Sequence, residues 1–306
     1  MIENYKKNKS ILQIGKKNIG LVYILPWMIG FLVFQLYPLF VSLLYSFSDF
    51  NMMKSPTFIG IKNYIYMFTK DDLFWQSLKV TFEYVLIGVP SKVLFALFIA
   101  MVLNTAIKGV GLFRTIYYIP SLLGGSVSVA VLWRFLFIHE GLINKLLSYF
   151  SIPPVDWLGN PKIALYNISL LLVWQFGSSM VLFLAGLKQV PQYLYEACKV
   201  DGATKIRMFF TITLPFLSPI ILFNIVMQTI GTFQEFTAAF VITRGGPLNA
   251  TYLYGLMLYQ NGFGYFKMGY ASAQSWVLFV IIMTVTLLFF KSSKYWTYYQ
   301  SGDDNL

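Results

Sequence analysis

Lys188-Gln-Val-Pro-Gln-Tyr-Leu-Tyr-Glu-Ala-Cys-Lys-Val-Asp-Gly-Ala-Thr-Lys-Ile-Arg-Met-Phe-Phe-Thr-Ile-Thr-Leu-Pro215 separates two long apolar runs and resembles neither. Pro191 suits the first turn of a helix, where its missing N–H would have no partner in any case. Tyr195, Glu196 and Ala197 continue that helix. Gly202 ends it, or admits another backbone closely. A second helical piece over residues 203–213 follows, and Pro215 opens the next run. The stretch therefore reads as a short helix, a glycine corner and another short helix at a membrane surface. A small exposed helix carrying Ala197, Cys198 and Ala203 is suited to a groove in a partner.

Outward from this stretch, six apolar runs are long enough to cross a hydrocarbon core, which takes about 20 helical residues. They lie approximately at 19–47, 80–103, 115–137, 165–187, 216–240 and 272–290. The 306-residue chain is 57% hydrophobic and 11% charged, where soluble proteins carry roughly 25% charged residues. Most of its surface does not face water. In lipid every backbone polar group must be paired internally, which leaves helices or a closed barrel. The runs are continuous rather than alternating, which decides for helices. The expected fold is all-α and polytopic. Residues 1–18 form an N-terminal segment, 19–290 one domain of six transmembrane helices, and 291–306 a tail. Pro26, Pro38 and Pro120 predict kinks or staggered ends in the first and third runs. Trp27, Trp133, Trp157, Trp276 and Trp296 fall near run ends, where interfacial aromatics belong.

Lysine and arginine set the orientation. With the N-terminus in the cytoplasm, the inside segments hold Lys6, Lys7, Lys9, Lys16, Lys17, Lys108, Arg114, Lys188, Lys199, Lys205, Arg207, Lys291 and Lys294. The outside segments hold Lys54, Lys62, Lys70, Lys79, Arg134, Lys145, Lys162, Arg244 and Lys267. The inside segments are shorter yet carry more, so both termini are expected in the cytoplasm. The N-terminal lysines before an apolar run resemble a signal peptide, but the run is too long and no cleavage site closes it. Residues 48–79 and 138–164 each have room for a short surface helix.

The net charge of +11 does not point to nucleic acid, because the basic residues sit between apolar runs rather than on one soluble face. One cysteine, Cys198, excludes a disulfide framework or a cysteine zinc site. One histidine, His139 beside Glu140, gives no catalytic or metal cluster, so no metal site, catalytic residue or bound cofactor is expected.

Glu196-Ala197-Cys198, Asp201-Gly202 and Ile212-x-Leu214-Pro215 together resemble the EAA loop of ABC importer permeases, with Cys198 where alanine is usual. Leu25-Pro-Trp-Met-Ile-Gly-Phe31, Tyr37-Pro38, Phe58-Ile-Gly60 with Asn63-Tyr64, and Gly245-Gly-Pro247-Leu-Asn-Ala-Thr251 are similar to the carbohydrate, maltose-transporter-like branch. So is Phe266-x-x-Gly269-Tyr270-Ala271-Ser272-Ala273. The resemblance implies a type I ABC importer permease fold in a bacterial inner membrane. It also implies a second permease subunit, two ATPases and an extracellular lipid-anchored or periplasmic sugar-binding protein. The chain has no Gly-x-x-x-x-Gly-Lys-Ser/Thr phosphate loop, so ATP and magnesium belong to a partner. By resemblance, Glu196 is the polar anchor in the ATPase groove, with Ala197, Cys198, Asp201, Gly202, Ile212 and Pro215 completing the coupling loop.

Asn224, Gln228, Thr232 and Glu235 are spaced four, four and three apart, which puts them on one helical face, with Gly231 alongside. Intramembrane polar groups face a cavity or another helix. By resemblance, Gln228, Gly231, Thr232 and Glu235 fall on the sugar site. Trp174, Gln175, Ser178 and Ser179 are a second, weaker set. Asn224 and Gln228 can equally bond a neighbouring helix, and Glu235 can bind hydroxyls, favour a cation or pair with Lys92. The expected solute is polyhydroxylated, an oligosaccharide before a monosaccharide, with glycerol phosphate or another polyol as the alternative. An ion-coupled secondary transporter is the rival class, but it needs internal repeats and paired intramembrane acids.

Overall fold

The computed structural model describes residues 23–105 and 109–298. Expectations about residues 1–18, the N-terminal lysines, Lys108 and the end of the tail lie outside the described residues. Among the described residues, five helices are long and apolar enough to cross a membrane, or six when a bent pair counts as one span. The chain divides into two compact units, Met1–Ile65 with Asn261–Trp276, and Tyr66–Gln260 with Val277–Leu306.

In the first unit, span one is the helix Tyr23–Ser46. Its backbone widens into a π turn over Leu32–Leu36, just before Pro38. Proline lacks an N–H and its ring crowds the carbonyl four residues back, so the widened turn accommodates it without breaking the helix. Beyond the helix, Ser48–Asp49 pairs with Thr57–Phe58. The Asn63 amide donates to the carbonyls of Ser46 (2.9 Å) and Ser48 (3.1 Å), and the Tyr64 hydroxyl donates to Ser46 Oγ at 2.8 Å. The Asn63-Tyr64 pair is thus the cap that ends span one. Gly269 N donates to Phe50 O at 2.9 Å, and a Cβ there would strike the Ser48 carbonyl.

The second unit is built on span two, the helix Asp72–Leu103. Asp71 caps it by accepting from Phe74 N at 3.2 Å, and Arg114 Nη2 donates to the carbonyl of Leu103 at its far end. A buried ridge recurs every fourth residue: Tyr84, Gly88, Lys92, Ala96, Ala100. Lipid gives helices little hydrophobic reason to associate, so close approach over small residues does the holding. Gly88 packs this way on Leu172, and Gly186 on Ile220.

Span three, expected as one helix over 115–137, is two helices, Val110–Leu122 and Val127–Phe137. The interruption is Gly124-Gly125, where Gly125 has φ +74° and Ser126 is extended. By length and apolarity alone Val127–Tyr149 also passes as a span. However, Ile138 is extended and turns the chain, and the following helix Leu142–Tyr149 has its own fixture. There the buried Asn144 bonds Val155 N and Trp157 Nε1. We therefore place the crossing at residues 110–137. Span four is a pair of helices, Ala164–Trp174 and Gly177–Gln189, bent by 46°. Span five is the helix Lys205–Phe233, followed by a break and the turn Ala239–Thr243. Span six is Met268–Ser293. Trp133 is not interfacial as expected: it is buried, and its indole N–H donates to Asn167 Oδ1 at 3.1 Å, tying spans three and four. Each expected loop helix is present, as Lys62–Thr69 and Leu142–Tyr149.

Candidate functional site

Two regions carry the candidate residues. The first is the loop between spans four and five. A helix runs over Gln192–Val200, and Gly202 closes it with φ +72°. Its C-terminal carbonyls are met by Gly202 N (to Lys199, 3.0 Å) and Ala203 N (to Cys198, 2.9 Å). This is the left-handed helix ending that glycine adopts freely. The corner is thus a backbone requirement, for open space surrounds the position a Cβ would take. Glu196 and Ala197 are exposed and Cys198 half-buried. Gln192 Nε2 holds the Glu196 carboxylate at 2.9 Å, one turn away. Val200 is 88% exposed and Tyr193 and Ile206 lie open nearby. A charged, small-residue helix edged with exposed apolar side chains has the composition of a docking surface.

Residues 203–213 are not a separate piece opening a span at Pro215, as the sequence suggested. Thr204 caps a helix beginning at Lys205, which continues through Pro215 to Phe233. A π turn over Phe209–Thr213 precedes Pro215 at the same spacing seen before Pro38. The Tyr195 hydroxyl and Thr213 Oγ1 share a hydrogen bond of 2.8 Å, so the short helix is fastened to the base of span five. Ile212 and Thr213 are buried there. From the tail, Tyr298 N donates to Ser218 Oγ at 2.8 Å on the same base.

The second region lies where spans three, four and five are interrupted. The breaks at Gly124-Gly125, Gln175-Phe176 and Gln234-Glu235 all border one cavity of about 20 Å³, room for little more than one water molecule. Gly125, Ser126, Gln175, Glu235 and Tyr84 are among its lining. Glu235 Oε1 accepts from Ala238 N at 2.9 Å, so the carboxylate caps the helical turn beyond the break. Gly255 brings the helix Tyr254–Tyr259 against the Glu235 carbonyl, 2.6 Å from where a Cβ would stand. Gly177 does the same for Tyr117.

The proposed polar stripe does not share one exposure. Asn224 is 1% exposed, its amide bonded to Ile220 O, and Thr232 is buried. Gln228 is half-buried and donates to Ser179 Oγ at 3.1 Å across to span four. The exposed stripe of span five runs one residue earlier, at Phe223, Met227, Gly231 and Gln234. On span four, Gln175 reaches the cavity, Ser178 is exposed and the Trp174 ring lies tilted against Trp133. Lys92 is buried, 5% exposed, without an ion pair within 4 Å among the described residues. Glu235 meets a backbone amide instead. Sequence reasoning missed Tyr84, Gly125, Tyr195 and Gly255. Only the Gly124-Gly125 pair inside an apolar run carried a local signal.

Residues 81–296 match the family described as binding-protein-dependent transport system inner membrane component. A probable ABC transporter permease of Bacillus subtilis, YesP, is 51% identical over 303 residues, covering 98% of this chain and 97% of that one. The trehalose/maltose transport system permease MalF of Thermococcus litoralis is 32% identical over 289 residues, covering 94% and 97%. The crystal structure of a bacterial ABC transporter importing the acidic polysaccharide alginate matches with a TM-score of 0.79. That match has 20% identity and covers 93% of this chain and 98% of that one, a likeness of fold alone.

Proposed function

The chain belongs to the family of binding-protein-dependent transport inner membrane components and is the permease of a sugar-type ABC importer, and from that premise we propose how it is driven. A separate ATPase docks on Gln192–Val200 and moves span five, opening a path for an oligosaccharide at the three helix breaks. The observation that carries this reading is the Tyr195–Thr213 hydrogen bond. Through it a displacement of the exposed helix is delivered to an unbroken helix of 29 residues. At its far end are Gln228, bonded to span four, and the break at Glu235. A helix that length reaches about 43 Å at 1.5 Å per residue, enough to carry motion from a membrane surface past its middle.

In this reading the loop 188–215 and both termini lie in the cytoplasm, and residues 138–164 and 244–253 lie outside. A second permease completes the pathway and a sugar-binding protein delivers the solute from outside. The ATPases supply ATP and magnesium chemistry, and this chain is a transport subunit. The central cavity is shut against any sugar ring, which suits a resting gate that the motor must open. Glu196 anchors the docked helix, and Gly202 keeps the corner that presents it.

The test is reconstitution of the full importer with its partner subunits and loaded binding protein. Glu196→Lys and Gly202→Asp are expected to insert normally, keep basal ATP turnover low and lose sugar-stimulated turnover. Coupled uptake at the wild-type rate by either variant would refute the assignment. A thermal-shift sugar screen on the cognate binding protein identifies the solute.

A further inference from the structure

The far side of the break level holds a second, larger space. A cleft of about 790 Å³ is lined by Val131, Arg134, Phe135 and Ile138 from span three, and by Phe240, Val241, Arg244 and Gln260. It falls within the size range of small-molecule sites, about 300–1,000 Å³. Two arginines share this lining and no acidic residue does. Neither arginine has an ion pair within 4 Å among the described residues.

One arginine is bonded at the cleft wall and the other is carried by a braced loop. Arg134 Nη1 reaches the carbonyl of Val241 at 3.4 Å. Arg244 has φ +54° in a loop knotted by its own side chains. Thr251 Oγ1 donates to Gly246 O at 2.7 Å and meets Thr243 Oγ1 at 2.6 Å. Tyr254 N donates to Thr81 Oγ1 of span two at 2.8 Å. Gln260 Oε1 accepts from the Tyr252 hydroxyl, leaving its amide hydrogens to donate.

We propose that this cleft is an anion-selective vestibule, in which Arg134 and Arg244 take a carboxylate of an acidic saccharide before it reaches the central cavity. Guanidinium groups meet carboxylates through paired charge-assisted bonds, and Phe135 and Phe240 offer apolar faces to pyranose rings. Glu235, which lines the central cavity further in, has one carboxylate oxygen engaged as the cap on Ala238 N. The inference rests on the sugar-permease reading and narrows its solute to one bearing negative charge.

The test uses the whole importer in vesicles, with a linear galacturonate trisaccharide and its carboxyl-reduced counterpart as probes. Uptake is measured with the binding protein. Contact is measured without it, by saturation-transfer NMR on the reconstituted importer. Wild type is expected to favour the acidic probe in both measurements. Arg134→Gln and Arg244→Gln are each expected to lower acidic uptake about tenfold while leaving basal ATP turnover unchanged. Arg→Lys variants should restore part of the loss. Equal handling of the two probes by wild type, or equal loss of both in the variants, overturns the vestibule and leaves the sugar reading standing. Sensitivity to the arginines that appears only with anionic phospholipid in the vesicles assigns them to headgroups and likewise overturns it. If neither probe nor any other saccharide moves, the sugar reading itself falls.

Discussion

For the proposed mechanism, Tyr195→Phe is the sharpest probe of how motion would leave the helix Gln192–Val200. The substitution removes one oxygen and keeps the ring, so the fold of Gln192–Val200 should survive. It breaks the 2.8 Å bond to Thr213 Oγ1, eighteen residues on and buried at the base of span five. A neutral hydrogen bond contributes about 0.5–1.5 kcal/mol net, which corresponds to roughly two- to tenfold in an equilibrium between a fastened and a slipping helix. The quantity to measure is sugar moved per ATP hydrolysed by the reconstituted importer. That ratio should fall by this factor, with basal hydrolysis and membrane insertion unchanged. Thr213→Val should give the same loss, and the double variant no more than either single change, because both remove one bond. Independent, summed losses, or an undisturbed ratio in Tyr195→Phe, would show that span five is driven through other contacts.

Other outcomes follow from the same geometry. Cys198 is the only cysteine of the chain and half-buried on the coupling helix, so a maleimide should label it in the isolated subunit and much less once the ATPase is bound. Equal labelling in both states would place docking elsewhere. Gly125→Val puts a branched side chain at φ +74°, a strain of about 1–2 kcal/mol, and is expected to slow uptake while Gly111→Val, in open helix, does not; uptake assays on the pair decide it. Glu235→Ala removes the cap on Ala238 N, a loss of about 1 kcal/mol, and should lower the thermal midpoint of the solubilised protein. Adding Lys92→Ala should cost less than the two single changes summed, because the Glu235 charge acts on buried Lys92 and coupled sites are not additive; plain additivity would contradict this.

The spans were legible because length and apolarity are one-dimensional properties, and the runs 80–103 or 272–290 needed nothing else, although the helices begin earlier, at Asp72 and Met268. The loop Gln192–Val200 with its corner at Gly202 was legible for a similar reason: helix, left-handed glycine and capping carbonyls are all local. The interruptions were not. Gln175 or Gln234 would sit comfortably in a continuous helix. What bends the chain there lies elsewhere in sequence, such as Tyr117 against Gly177 or Gly255 against Glu235. The polar stripe was legible only as a face. Helical periodicity groups Asn224, Gln228 and Thr232 together but cannot say what that face meets, and here Asn224 and Thr232 are buried while Gln228 bonds span four. Tyr195 was passed over because its partner is eighteen residues away, while its neighbour Glu196 carried the recognisable pattern.

The three interruptions border a single cavity, and they divide spans three, four and five into two storeys joined by a few residues each, while span two runs past them unbroken. In the proposed mechanism the lower storey, residues 110–122, 177–189 and 192–233, is the part a motor would move, and the upper, residues 127–137, 164–174 and 237–260, is the part that would meet the cargo. Such a joint lets one storey be redrawn without retuning the other. Exchanging the upper storey between relatives, cut at Gly124-Gly125, Gln175 and Gln234, is then a route to importers that keep their engine and change their cargo.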